Sequence, residues 1–138
     1  MSNGRKPSPA AASYRGGYLR SRAWFARRAR YFQDQARLRC EVCRREVTTP
    51  RDLELHHVSY RGVRQRPDGS WEAHEADNDL VAMHPVCHEA VHRILDQDTM
   101  LRGLVSRQDA TDRAIRIVRR QLERALGITI DTGDGDAT

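Results

Sequence analysis

The sequence predicts a small α+β domain organised around bound metal. Three observations predict it. Two short pairs of metal-type residues, Cys40-x2-Cys43 and His84-x2-Cys87, stand in separate stretches of the chain. Beside them the hydrophobic pattern alternates over residues 53–60, a short apolar run follows at 80–83, and helical spacing takes over after Pro85. Only 38% of the 138 residues are hydrophobic while 31% are charged, so the apolar core is small and a structural ion would help to hold it.

The elements follow in order. Residues 1–17 are rich in Gly, Pro, Ser and Ala and read as a flexible basic arm. Ser21 is placed to cap a helix running to about Ala36. In that helix Trp24 and Tyr31, and likewise Phe25 and Phe32, are spaced to form an aromatic stripe that faces a core. Residues 40–50 form a knuckle and turn, and residues 53–60 a short strand. Residues 61–78 read as a loop, with Gly62, Pro67, Asp68 and Gly69 marking a turn. A second strand spans 80–83. Pro85 suits the first position of a helix that reaches Leu95 or Asp96. A last amphipathic helix covers residues 111–126, with Ile115, Val118, Leu122 and Leu126 on its apolar face and Gly127 as its stop. Residues 18–97 are thus expected to be the working domain, 98–127 a helical extension, and 128–138 a disordered tail.

Charge is unevenly distributed. Residues 1–45 hold 12 of the 24 Arg/Lys and 2 of the 19 Asp/Glu, a net of +10; the remaining residues hold 12 and 17, a net of −5, which together make the formal +5. A basic N-terminal third favours a polyanionic partner. Arg20, Arg22, Arg27, Arg28 and Arg30 are candidates to follow a phosphate backbone, with Arg61 and Arg64 of the middle loop as further contacts. No apolar run approaches the length of a membrane span, and no secretory leader is recognisable. Three cysteines, an odd number, suit metal ligation better than a disulfide framework.

Chemistry is concentrated in two stretches. A C-x2-C pair and an H-x2-C pair each aim two side chains at one point, so Cys40, Cys43, His84 and Cys87 suit one tetrahedral zinc. A redox role for Cys40 and Cys43 would leave the second pair unexplained. His88 and His92 are four apart on the expected helix and therefore share a face, a half-site for a divalent metal. His56 and His57 are consecutive on a strand and point to opposite sides. One can bind metal while the other accepts a proton from water. His74 has no assigned role.

Leu53-Glu54-Leu55-His56-His57-Val58-Ser59-Tyr60, followed by Asp79-Leu80-Val81-Ala82-Met83-His84-Pro85-Val86-Cys87-His88-Glu89-Ala90-Val91-His92, resembles the HNH nuclease motif of the ββα-metal fold. It is especially similar to phage and bacterial HNH proteins that carry two zinc-knuckle pairs, and the resemblance extends over about residues 18–95. It implies that His57 is the general base and that His56, His88 and His92 bind the catalytic metal: Mg2+, Mn2+, Ni2+ or Zn2+. Cys40, Cys43, His84 and Cys87 would hold structural zinc, with His84 standing where the family usually has Cys. Counting nine residues back from His88 places Asp79, rather than its neighbour Asn78, at the family's central position, where the residue braces the loop and orients the base. The implied activity is hydrolysis of DNA phosphodiester bonds by a cytoplasmic protein of a bacterium or its phage, with phage packaging proteins as further partners. Two alternatives compete with it: a non-catalytic zinc-knuckle DNA-binding module of a packaging or recombination complex, and a nuclease acting on RNA. Oligomeric state and target sequence are not encoded in any recognisable motif.

Overall fold

The computed structural model describes residues 16–97 and 106–133. The fold is mixed α+β, with two two-stranded sheets among the described residues. The expected arm lies outside them except for Gly16 and Gly17, which are helical together with Tyr18 and Leu19. Helix α1 is Arg22–Gln33. Ser21 caps it, its hydroxyl accepting the Trp24 N–H at 3.2 Å. The aromatic stripe splits in a way the spacing alone does not show. Trp24, Tyr31 and Phe32 are buried, whereas Phe25 is 57% exposed. Arg27, half-way between Trp24 and Tyr31, is buried with them.

Strand β1, Glu54–His57, covers only the inner part of the alternating stretch. It pairs with β4, Leu80–Met83, which matches the expected strand. Between them the expected loop contains a hairpin of β2 (Val63–Gln65) and β3 (Trp71–Ala73), paired antiparallel with Arg64 opposite Glu72. Its turn is built by Asp68, whose carboxylate accepts the Ser70 N–H and hydroxyl, and by Gly69 at φ +89°. Three-residue strands carry too little alternation to stand out from the turn residues around them. Gly62 enters this hairpin against bare backbone: a Cβ there would lie 2.4 Å from the His74 carbonyl oxygen.

Helix α2 is Pro85–Gln97, with Pro85 first, where its missing N–H costs no helix bond. Helix α3 is Arg107–Leu126. It starts a turn earlier than expected because Ser106 caps it, accepting the Asp109 N–H at 3.1 Å. Gly127 ends it in the left-handed conformation at φ +65°.

The chain divides into two compact units: residues through Ala36 with His57–Val81, and Arg37–His56 with Ala82 onward. The first contains α1 and the hairpin, with Tyr18, Trp24 and His57 in its interior. The second contains α2 and α3, with Val42, Leu53, Met83, Val91, Ala114, Ile115 and Val118 buried. The C-terminal helix belongs to the same compact unit as the knuckle. Tail residues 128–133 are also engaged there. Glu123 accepts the Ile130 N–H, and Arg44 donates to the Thr132 carbonyl. No helix among the described residues is long and apolar enough to cross a membrane.

Candidate metal centres and a buried histidine network

The knuckle is a tight reversal in which Arg39 bridges Glu46 and the Arg44 N–H returns to the Cys40 carbonyl. Arg44 takes a left-handed φ of 66° to close it. The Glu41 N–H donates to the Ala82 carbonyl, which brings the end of β4 alongside. His84 and Cys87 then arrive from the start of α2. One ligand atom each from Cys40, Cys43, His84 and Cys87 lies within 4.8 Å of the others. A tetrahedral zinc with bonds of about 2.3 Å needs sulfurs about 3.8 Å apart. This Cys3His cluster fits a metal ion such as zinc.

Its protonation fits too. The Cys87 thiol, sharing its proton with the Cys40 sulfur, pulls Cys40 down to about 4. The same contact pushes Cys87 far up, and burial pushes Cys43 up. A metal would take all three as thiolates, releasing bound protons. Arg119 of α3 closes the knuckle from outside by donating to the carbonyls of Val42 and Glu41.

The same unit holds a second set of donors. His56, His88 and His92 also bring one ligand atom each to within 4.8 Å of one another. His56 Nδ1 lies 3.2 Å from His88 Nε2, which lies 3.0 Å from His92 Nε2. Metal–nitrogen bonds of about 2.1 Å set ligand nitrogens about 3.0–3.4 Å apart in octahedral or tetrahedral geometry. The far nitrogens are occupied: His88 Nδ1 is 2.9 Å from Glu54 Oε1, and His56 Nε2 is 3.2 Å from Thr111 Oγ1. A carboxylate or hydroxyl on the far nitrogen holds the proton there and turns the lone pair inward. Neither Glu54 nor Thr111 is evident from the sequence. Glu54 sits two residues before His56 on the same strand face, a signal that could have been used. Thr111 comes from a distant helix.

His57 belongs to the other unit and a different environment. Its ring stacks on Tyr60 at 4.0 Å and lies 4.8 Å from Trp24. His57 Nε2 is 2.7 Å from Glu75 Oε2, which also accepts the Tyr18 hydroxyl at 2.7 Å. The Arg27 guanidinium donates to the Glu75 carbonyl and pairs with Asp77. Asp79, expected to orient this histidine, instead takes Arg61 through both carboxylate oxygens, at 2.9 and 3.1 Å. Its carbonyl accepts the Val58 N–H, so it braces the entry to β4. Asn78 is exposed beside it. Glu75 is the carboxylate on His57, and no motif marks it.

Burial pushes the Glu75 carboxyl up, but the His57 and Tyr18 donors outweigh it and hold it below its usual 4.5. A depressed folded-state pKa contributes stability above the unfolded value and loses it as pH falls through the folded one. Glu75→Gln is therefore expected to cost about 1.5–3 kcal/mol at neutral pH, the scale of hydrogen bonds to a charged group. It should also flatten the acid limb below pH 4.5 in urea melts. Parallel acid limbs in wild type and variant would remove Glu75 as the titrating group.

The arginines expected on a phosphate backbone are not equivalent. Arg27 is 6% exposed and committed to Glu75 and Asp77, and Arg61 is tied to Asp79. Burial takes Arg27 away from the expected contact, whereas Arg61, though paired with Asp79, keeps an exposed side chain. Arg20 donates to the Gly16 carbonyl, Arg28 lies over the Phe32 ring, and Arg30 reaches the Ala73 carbonyl. Arg22 and Arg64 are exposed. No protein-family model, curated protein or solved structure matches the chain.

Proposed function

We propose that the chain is a metal-dependent endonuclease of HNH type that hydrolyses DNA phosphodiester bonds. The single observation that carries the proposal is the converging triad of His56, His88 and His92, with the far nitrogens of His56 and His88 already held by Thr111 and Glu54. A metal-binding residue and the base candidate, His56 and His57, are consecutive in β1. The order of β1, its partner β4 and then α2 agrees with the ββα-metal arrangement that the motif implies.

A divalent ion held by the triad would supply Lewis-acid stabilisation of a phosphate oxygen and of the departing bridging oxygen. His57 would accept a proton from the attacking water as the new P–O bond forms and the bridging P–O bond breaks. Glu75 would hold the proton on His57 Nε2, leaving the lone pair on Nδ1. Asp79, on Arg61, would brace the loop at the motif's centre. An all-imidazole ligand set favours Ni2+ or Zn2+ over Mg2+ and Mn2+, which prefer oxygen ligands. The zinc of the Cys3His cluster would be structural.

The test is cleavage of supercoiled plasmid with each of these ions in turn. His57→Ala is expected to lose about 10²–10⁴-fold in rate, the usual contribution of a general base. Wild type cutting no faster than the variant with every ion would end the catalytic assignment. One observation favours a second reading. His57 is only 5% exposed and its Nε2 is committed to Glu75, as in a structural histidine. DNA binding that survives His57→Ala, with no cutting by either protein, would make the chain a zinc-knuckle DNA-binding module.

A further inference from the structure

We infer that Thr111 is a positioning residue of the histidine metal centre: its hydroxyl fixes His56 as the Nε2–H tautomer and so makes Nδ1 the ligand atom. The inference rests on the triad being a metal centre. It goes beyond that by bringing the C-terminal helix α3 into the site.

The geometry has three parts. Thr111 Oγ1 is 3.2 Å from His56 Nε2, and the contact is buried. Thr111 is 2% exposed in the first turns of α3, where a hydroxyl without a partner would be costly. The opposite ring nitrogen, His56 Nδ1, is the one facing His88 at 3.2 Å. A neutral imidazole has one N–H and one lone pair, so the nitrogen that donates decides the one that can ligate. With Thr111 as acceptor, Nδ1 must carry the lone pair. His88 is fixed in the opposite sense. Glu54 holds its Nδ1, and Nε2 faces the centre. The triad is therefore mixed, with Nδ1 from His56 and Nε2 from His88 and His92. The carboxylate partner of His88 comes from β1, on the strand that carries His56, while the hydroxyl partner of His56 comes from α3. Arg119, two turns further along α3, holds the knuckle carbonyls and so registers the helix at its other contact.

Titration of the zinc-loaded full-length chain with Co2+ tests this. Ligand-field absorption reads the imidazole site, and thiolate charge-transfer bands would reveal displacement of zinc from the knuckle. Thr111→Val, which keeps the shape and removes the acceptor, is expected to weaken Co2+ binding about 10–100-fold with zinc content unchanged. Thr111→Ser should restore it, which a packing role for the threonine methyl would not allow. His88→Ala should abolish the imidazole-type absorption in either case. Equal Co2+ affinity in wild type and Thr111→Val overturns the role of Thr111 while leaving the metal centre standing. No Co2+ binding by wild type beyond the knuckle overturns both. If Thr111→Val does not fold, long-range proton–nitrogen NMR of wild type with Zn2+ at both sites decides. His56 should show a protonated Nε2 and His88 a protonated Nδ1, and a protonated His56 Nδ1 would refute the inference.

Discussion

Cys40→Ser is expected to release the knuckle zinc and unfold the unit formed by Arg37–His56 and Ala82 onward. Cys40 is fully buried, and its sulfur accepts the His84 N–H at 3.3 Å. Its contact with Cys87 also pulls its thiol well below the ordinary range. A serine hydroxyl cannot serve as a thiolate ligand, and it would leave the remaining thiols converging on nothing. Structural zinc contributes about 10–16 kcal/mol in small zinc-folded domains, which equals or exceeds the 5–15 kcal/mol stability of a typical whole domain. The helix that carries Cys87 also carries His88 and His92, so the loss would spread to the triad. Zinc content by atomic emission and the thermal midpoint by circular dichroism read the result. An unchanged midpoint together with unchanged zinc would refute the knuckle.

His88→Ala is expected to have the complementary outcome: loss of plasmid cleavage in a chain that stays folded. Its Nε2 is the nitrogen nearest to both others, at 3.2 Å from His56 and 3.0 Å from His92. Removing it leaves two donors and strands Glu54 without its partner. Since loss of an outer partner alone costs about 10–100-fold in metal affinity, loss of a ligand should cost more than about 100-fold. The neighbouring Cys87 is untouched, and the side chain of His88 lies partly at the surface. Bound metal should therefore fall from two ions to one, with the melting temperature nearly constant. A variant that still binds two ions and cuts at the wild-type rate would exclude the triad as the catalytic centre.

The parts of this site that were legible in sequence are those coded by local spacing. Two x2 pairs and an x3 pair fall at short intervals fixed by turn and helix geometry, so Cys40, Cys43, His84, Cys87, His88 and His92 could be assigned without any tertiary information. Ser21, Pro85 and Gly127 marked helix ends for the same reason. What was missed depends on chain closure. Glu75 meets Tyr18 from 57 residues away, and Thr111 meets His56 from 55 residues away. Neither partner carries a periodic signal. Arg27 was misread because an arginine in a basic run normally belongs to solvent. Here the run happens to face Glu75 and Asp77 at that one position. Asp79 was assigned from a count along the motif, and a count cannot see that Arg61 would claim the carboxylate.

Cys87 and His88 are consecutive in α2, so about 100° of helix rotation separates a thiolate donor from an imidazole donor. With both centres loaded, one helix wall would serve two ions of different chemical preference. Soft sulfur holds zinc tightly, while three neutral imidazoles release a divalent ion more readily. Scarce metal would fill the knuckle first, and a mild chelator would empty the triad first. Between these limits, on the proposed function, the half-loaded protein would be fully folded and chemically silent. Its latency would be set by the surrounding supply of metal, without any moving part.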